Sequence, residues 1–593
     1  MNYELSNDEQ KQPKVSFVPA IRELLRYIQG SYWKIFVAFI FLAITSASTI
    51  IAPFLIGDVT NKYIPVGDRD NLIKFLIILA VVYAIGSLAS YFQIRVMGQV
   101  GQKILFNIRN AVFQKLQSLP LAFFNQNKSG DLISRINNDT DKMNQAFSET
   151  LLRFTGDILV IFGIGVVMII LNQTLGLIAI ATLGLMLLVT AALAGWIKSR
   201  NDMSLQRLGE LAGSIQESLS NFKVTVVFNR RDYFRDSFKS VNENNRGAAT
   251  AAGIANSSLA PIYNYAANLA SALILIGGIH ILILDKVYAG QMPEFGTLLA
   301  FILYSNTFFG PLKEMAELFT QMQVAIASWS RIFTLLRLKT NLVQLDIKEK
   351  DESGDIMKFD NVSFGYDKEN MILNRINIEL QAGKTYALVG PTGGGKSTTA
   401  SLMVRLYDAT EGQVFYKGKD IRSYSPEELS EEIGFILQEP FLFSGTIAEN
   451  VKYGNTKIAE YTDDQLAAKL KELGLEQLIE RFGDGLQTVI KPGAENISLG
   501  QRQLISFVRV LLRQPKLLIL DEATANIDTV TEQLLEDILN KLPEETTMVI
   551  IAHRLNTIER ADQIFFISGG TIEKPVDFDS ALGLINAQGK MKS

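Results

Sequence analysis

The chain has 593 residues, 48% of them hydrophobic and 20% charged, with a mean hydropathy of +0.17. Soluble domains carry about a quarter charged residues, so part of this chain is solvated by something other than water, and its length predicts more than one domain. A net charge of −4 excludes nucleic acid as a bulk electrostatic partner; the complete lack of cysteine, with His280 and His553 as the two histidines, excludes disulfides, thiolate and His-rich metal sites, iron–sulfur clusters and thiol catalysis.

Residues 1–14 are polar and mixed in charge, without the short apolar run and small-residue cleavage site of a signal peptide. Over 16–30, Phe17, Ile21, Leu24, Leu25 and Ile28 fall on one side of a helix, which suits either a membrane-interface elbow or an ordinary surface helix. Residues 1–32 are thus expected to form a cytoplasmic tail and elbow. Six apolar runs follow, at 33–56, 72–94, 154–171, 175–197, 259–284 and 295–318. Each has the roughly 18–25 residues that a helix needs to cross about 30 Å of hydrocarbon. One such run could be a buried soluble helix; six in one half of a chain predict an all-α, six-span transmembrane domain over 33–338.

The connections after the first, third and fifth runs are short, and Asn172, Gln173 and Thr174 carry no positive charge. Those after the second and fourth are long and basic, from Arg95 to Lys142 and from Lys198 to Arg246. The positive-inside rule then sets both long loops and both termini in the cytoplasm. Ile104, Ile108, Val112, Leu116 and Leu119 recur at helical spacing, as do Leu205, Leu208, Leu211 and Ile215, so the membrane helices are predicted to continue well into the cytoplasm. Pro120 and residues 125–130 mark a turn at the first tip. Residues 339–355 read as a charged linker, and 356–593 alternate short apolar strands with polar helices, an α/β domain.

Within that domain a strand at 385–389 runs straight into Gly390, Pro391, Thr392, Gly393, Gly394, Gly395, Lys396, Ser397 and Thr398, and then into a helix. This is G-x-x-x-x-G-K-[ST] in the strand–loop–helix setting that gives it meaning. Glycines let successive backbone N–H groups curl around phosphate oxygens, and the helix N-terminus adds a favourable dipole. Lys396 is expected to reach the β- and γ-phosphates of ATP and Ser397 to ligate Mg2+. Further on, the apolar strand ending at Leu520 delivers Asp521 and Glu522. Successive residues on a strand point to opposite faces, so the two need not share a role: Asp521 suits magnesium, and Glu522 suits polarising a water for attack on the γ-phosphate.

At Asn496-Ile497-Ser498-Leu499-Gly500-Gln501-Arg502-Gln503 the sequence resembles the signature motif of ATP-binding cassette (ABC) proteins. Gln438 looks like the family's Q-loop glutamine, Ala525-Asn526-Ile527-Asp528 like its D-loop, His553 like its switch histidine, and Tyr366 like the aromatic that stacks on adenine. The elements stand in family order. The resemblance implies a phosphate loop 390–398 with Tyr366, Gln438, Ser498, Gly500 and Gln501 around ATP, Ser397, Gln438 and Asp521 around Mg2+, and Glu522, His553 and Gln438 in hydrolysis. The membrane half looks like that of the family's exporters: Phe124, Gly130, Ser134, Arg135 and Asp139 fit a coupling segment near 120–135, and 217–235 fits a second.

The family signature reads Leu-Ser-Gly-Gly-Gln, whereas Leu499 stands here at the first glycine. In the family, two ATPase domains close head to tail and each signature covers the nucleotide held by the other. A branched side chain at 499 is expected to crowd that approach and to restrict the available φ. With Glu522, Gln438 and His553 intact, the resemblance implies a heterodimer, in which a second half-transporter with an intact signature completes this chain's site. The expected activity is ATP-driven export of hydrophobic or amphiphilic compounds across a bacterial plasma membrane; a lipid flippase, a peptide exporter, a homodimer and an ATP-binding membrane regulator are the alternatives. Arg153 and Asp157, four residues apart near the start of the third span, suit a mutual pair, a functional intramembrane site or charges that snorkel to the interface. His280 suits a pH sensor, a cavity wall or, foremost, an interhelical hydrogen bond. Tyr263, Tyr265, Tyr304, Phe308 and Phe309 suit either an aromatic substrate surface or lipid-facing positions.

Overall fold

Hydrocarbon offers a peptide group no hydrogen bond, so a chain crossing it satisfies its backbone internally, and the apolar runs form helices. In the computed structural model the described residues are Tyr3, Leu5, 26–339, 342, 344–347, 351–367, 370–521, 533, 535, 537–539, 542–551, 558–576, 578–580 and 582–584. The membrane-type helices are α1 (Tyr32–Lys62), α2 (Arg69–Gln117), α4 (Ser129–Leu171), α5 (Gln173–Ser220), α7 (Arg231–Tyr288) and α8 (Phe295–Arg337). Two short helices lie between them, α3 (Leu121–Gln126) and α6 (Phe222–Val227). All six apolar runs fall inside these helices. At 49 and 48 residues, α2 and α5 reach about 70 Å, roughly twice the hydrocarbon thickness.

The chain divides into two units, one from the described residues of Gln12–Leu116 and Gly130–Arg337, the other from those of Met1–Lys11, Gln117–Ser129 and Leu338–Ser593. In the helical unit, small residues set the closest approach. A Cβ on Gly296 of α8 would lie 2.0 Å from the carbonyl oxygen of Gly57 on α1, and one on Gly57 would lie 2.7 Å from that of Gly296. The same crossing is tied by polar groups: the Gly296 N–H donates to Asn61 Oδ1 at 2.6 Å and Asn61 Nδ2 to Thr297 Oγ1 at 2.9 Å.

Two π-helical turns, Arg135–Asp139 and Ala146–Thr150, interrupt α4; each inserts a residue and re-aims the side chains beyond it. The first buries both Arg135 and Asp139. Asp139 accepts two hydrogen bonds from the guanidinium of Arg331 on α8, the one from Nε at 2.8 Å, while Arg135 donates to the Arg331 carbonyl at 3.2 Å and pairs with Asp131 at 2.9 Å. Buried charges persist only when paired in this way.

Three membrane-side expectations are corrected. Arg153 pairs with Glu149, one turn earlier, at 2.9 Å, and Asp157 keeps a buried Oδ2 without a hydrogen-bond partner. His280 is exposed and lies 3.4 Å from Asp285, a short step along the same helix, so its partner is not interhelical. Of the five aromatics, Tyr263, Tyr304, Phe308 and Phe309 are buried between helices and Tyr265 alone is exposed. Tyr304 donates to the Ile50 carbonyl at 2.6 Å and the Tyr263 hydroxyl meets Thr190 Oγ1 at 3.1 Å. Four of the five are packing residues, not a shared substrate surface.

The second unit has a six-stranded sheet in the order β12-β11-β3-β10-β9-β6 and a four-stranded antiparallel sheet β2-β1-β4-β5. Its strands are β1 (Met357–Phe364), β2 (Leu373–Leu380), β3 (Thr385–Val389), β4 (Glu411–Tyr416), β5 (Lys419–Asp420), β6 (Ile433–Ile436), β7 (Gly445–Thr446), β8 (Val489–Ile490), β9 (Leu517–Asp521), β10 (Thr547–Ile551), β11 (Gln563–Ser568) and β12 (Thr571–Val576). Strands β3, β10, β9, β6 and β11 run parallel. Such strands are covered on both faces, and β9 is buried at every position. Leu345 donates its N–H to the Arg422 carbonyl at 2.9 Å, and Lys358 pairs with Asp351 at 2.7 Å. Short α3 belongs to this unit: Ala122 packs against the core formed by Phe364, Tyr407 and their neighbours.

Replacing Gly296 by Ala forces its methyl into a backbone carbonyl, which no rotamer change relieves. The expected loss is about 1–3 kcal/mol, read as a lower thermal unfolding midpoint in detergent. Gly209→Ala, where a Cβ meets nothing within 4 Å, should leave that midpoint unchanged or raise it slightly.

Candidate functional site

The phosphate loop owes its position to β3, whose last four residues are buried and which lies between β11 and β10 in the parallel sheet. At its carboxyl end the chain must turn sharply against β11. Gly390 has φ +140°, and a Cβ there would lie 2.0 Å from the Ile567 carbonyl oxygen; on Gly394 it would lie 2.6 Å from the same atom. Gly395 has φ +113°, and a Cβ on it would meet Leu373 at 2.6 Å. By contrast, nothing lies within 4 Å of the Cβ position of Gly393. Gly390, Gly394 and Gly395 therefore admit the close turn, while Gly393, at φ +80°, leaves the open side of the loop unobstructed. Directly after the loop, helix α9 (Lys396–Met403) begins, with its first N–H groups turned to the same side.

Lys396 is buried, and its ammonium donates to the carbonyls of Gly390 at 2.9 Å and Pro391 at 3.0 Å. The cation thus sits inside the loop's own curl. Ser397 is exposed, and its hydroxyl donates to Asp521 Oδ1 at 3.3 Å. Asp521 is 8% exposed at the end of β9. One hydroxyl and one carboxylate side by side fit a hard divalent cation that completes its shell with phosphate and water. Consistently, no cluster of three His, Cys, Asp or Glu that could hold a metal by itself occurs among the described residues. Tyr366 keeps 46% of its surface exposed, and its hydroxyl shares a hydrogen bond with Thr398 Oγ1 at 3.2 Å. Pro391 and Thr392 complete the loop, the latter exposed. A glycine cradle, a buried ammonium, a hydroxyl–carboxylate pair and an exposed aromatic are the components of a nucleoside triphosphate site.

Other predicted residues lie elsewhere. Gln438 follows β6 and is exposed. The signature residues open helix α10 (Leu499–Leu511): Ser498 is its N-cap, its Oγ accepting from the Gln501 N–H at 3.2 Å, while Gln501 Oε1 accepts from the Ser498 N–H at 3.0 Å. This reciprocal capping satisfies two N–H groups that a helix start otherwise leaves open. Leu499 is the first helical residue, half-buried, and is not among the residues with positive φ. The expected restriction on φ is thus not the issue at this position, because helical φ suits any L-residue; the isobutyl group itself is what differs from glycine. Gly500 is the next helical residue. Glu522, His553 and the D-loop at 525–528 lie outside the described residues.

Sequence reading passed over Tyr407. It belongs to no phosphate-binding motif and stands far from Tyr366 in the chain, yet their rings meet edge to face with centroids 5.2 Å apart. An aromatic just beyond the phosphate-loop helix was the available signal, and it is indistinguishable in sequence from a core residue.

Residues 35–312 match the family model described as ABC transporter transmembrane region, and 373–525 match that described as ABC transporter. The Bacillus subtilis protein named "Uncharacterized ABC transporter ATP-binding protein YfiC" is 34% identical over 562 residues, 93% of this chain and 91% of that one. A Mycobacterium bovis "Fatty acid ABC transporter ATP-binding/permease protein" is 31% identical over 500 residues, 84% and 78% of the two chains. "Probable multidrug resistance ABC transporter ATP-binding/permease protein YheH" of Bacillus subtilis is 30% identical over 485 residues, 81% and 71% of the two. The chain therefore belongs to the ABC transporter family, as an exporter-type half-transporter that joins a multi-pass membrane domain to an ATP-hydrolysing domain on one polypeptide.

Proposed function

We propose that this chain exports hydrophobic or amphiphilic compounds of the multidrug type across the bacterial plasma membrane, both termini cytoplasmic, as one half of a heterodimer with two unequal ATP sites. The export reading is supported by the six spans fused to the phosphate loop and by the multidrug name of one relative. A lipid cargo is the second reading, supported by the name of the fatty-acid relative. The unequal sites are supported by one observation above all, Leu499 at the first turn of an otherwise intact signature cap.

In this mechanism the N–H groups of 393–398 enclose the phosphates, and Lys396 exchanges the carbonyls of Gly390 and Pro391 for phosphate oxygens. Ser397 and Asp521, with Gln438, would hold magnesium, which when bound would neutralise phosphate charge. Tyr366 stacks on the base. Glu522 accepts a proton from the attacking water, and His553 holds the γ-phosphate side of the site. The partner's signature covers this nucleotide, while Ser498, Gly500 and Gln501 cover the nucleotide held by the partner, which turns over slowly. Closure of the two ATPase domains moves the coupling segments, containing α3 and α6, and turns the spans outward; hydrolysis resets them.

Purification through this chain from native membranes, followed by native mass and peptide identification, tests the assembly. A second, different half-transporter with an intact signature is expected, and a pure homodimer with full ATPase activity would exclude it. Leu499→Gly should raise turnover or ATP affinity at one of the two sites, and no change at either counts against the inequality. Glu522→Gln should bind ATP normally while steady-state turnover falls about 10²–10⁴-fold; sustained turnover in that variant removes its role as base.

A further inference from the structure

Tyr366 presents nearly half its surface to solvent, and a flat stacking surface is useful only if its plane is fixed before the base arrives. Three contacts fix it. The ring packs edge to face against Phe364 at 5.1 Å and against Tyr407 at 5.2 Å between centroids, and its hydroxyl is held at Thr398. Tyr407 in turn packs on Phe364 at 5.4 Å and is 9% exposed. Burial of a phenol leaves its hydroxyl in need of a partner, and Tyr407 finds one outside the nucleotide site: Asn125 Nδ2 donates to its hydroxyl oxygen at 2.8 Å. Burial foremost, then the neighbouring Tyr366 phenol, pushes the Tyr407 phenol above its usual range, against the smaller opposing effect of Asn125, so this hydroxyl stays protonated in the cell.

Asn125 lies on α3, the tip helix that the chain joins directly to α2 and α4. Besides Ala122, which packs on the core that includes Tyr407, α3 has anchors that do not involve Tyr407. Phe123 is fully buried and meets the Tyr3 ring edge to face at 6.4 Å. The Tyr3 N–H donates to Gln126 Oε1 at 2.6 Å, and Asn127 Nδ2 donates to the Tyr3 carbonyl at 2.8 Å.

We propose that Tyr407 is a positioning residue for nucleotide binding: its ring sets the plane of Tyr366, and its hydroxyl ties that plane to Asn125 on α3. The proposal rests on the reading of Tyr366 as the base-stacking residue. A displacement of α3 then alters the grip on the base without touching the phosphate loop, and base occupancy in turn stiffens the seat of α3.

The test measures ATPase kinetics of the full complex purified through this chain, with inorganic tripolyphosphate, which has no base, as a competitive probe of the phosphate loop alone. Tyr407→Leu keeps bulk but removes the ring edge; the KM for ATP should rise about tenfold with kcat nearly unchanged, while inhibition by tripolyphosphate stays within about twofold of wild type. Asn125→Ala should raise the same KM by about twofold to threefold, and should add nothing in a Tyr407→Phe background, where the hydroxyl is already absent. Equal weakening of ATP and tripolyphosphate overturns the proposal, since that is general damage to the domain; so does an unmoved KM for ATP. Tyr366→Ala separates the two levels. If it leaves the KM for ATP unchanged, base stacking itself fails; if it raises the KM while Tyr407→Leu does not, only the link through Tyr407 fails.

Discussion

No water reaches a peptide group inside hydrocarbon, and the architecture of the longer half of this protein follows from that deprivation. Every backbone donor there must find an acceptor within its own helix, and polar side chains in the spans must find one another or a spare carbonyl. Apart from Asp157 Oδ2, several do so across helices. Ser48 donates to the Val82 carbonyl at 2.8 Å, Ser271 meets Ser305 at 2.8 Å, and Thr190 meets Tyr263 at 3.1 Å. Because lipid tails are as apolar as leucine, helix association gains little from burying apolar surface and depends on close approach and such bonds. The glycine crossing of α1 and α8, with Asn61 bridging it, combines both.

The ATPase unit solves the opposite problem. There the backbone must be offered outward to a highly charged ligand, yet held rigidly enough not to collapse on itself. Five parallel strands supply the rigid base, the Ile567 carbonyl presses on the loop from β11, and Lys396 fills the curl with its own cation. The charge of the ammonium is thus satisfied by loop carbonyls before any phosphate arrives. Preorganised donors of this kind cost little reorganisation when the ligand enters.

Much of this was legible in the sequence because it is carried by local pattern. Six apolar runs, the helical spacing of Ile104 to Leu119, and the strand–glycine–lysine order around 390–398 each depend on residues near one another in the chain. The pairing of Ser397 with Asp521 was also foreseeable, since a hydroxyl after a phosphate loop and a carboxylate ending a buried strand have few other uses. What failed depended on rotation about helix axes or on distant contacts. Arg153 has acidic neighbours at Glu149 and Asp157, and i,i+4 spacing in both directions does not say which one it faces. The aromatics from Tyr304 to Phe309 read as a candidate surface because composition cannot distinguish an inward ring from an outward one. For Leu499 only the expected restriction on φ failed, because the Ser498–Gln501 cap places it at a helix start, where φ demands no glycine. Asn125 and Tyr407 carry no motif and meet only through the fold.

The paired glycines of α1 and α8 also constrain which sequences can descend from this one. At most contacts, a larger residue on one helix can be accommodated by a smaller one opposite, so a lineage can drift through compensated pairs. Gly57 and Gly296 allow no such exchange, because each hypothetical side chain meets the other helix's main-chain carbonyl, and a carbonyl cannot be mutated to a smaller group. A change at either position costs stability that no substitution opposite can restore, and changing both only adds a second clash. A descendant could lose this pair only by moving the two helices apart, and with them the Asn61 bridge, in one step.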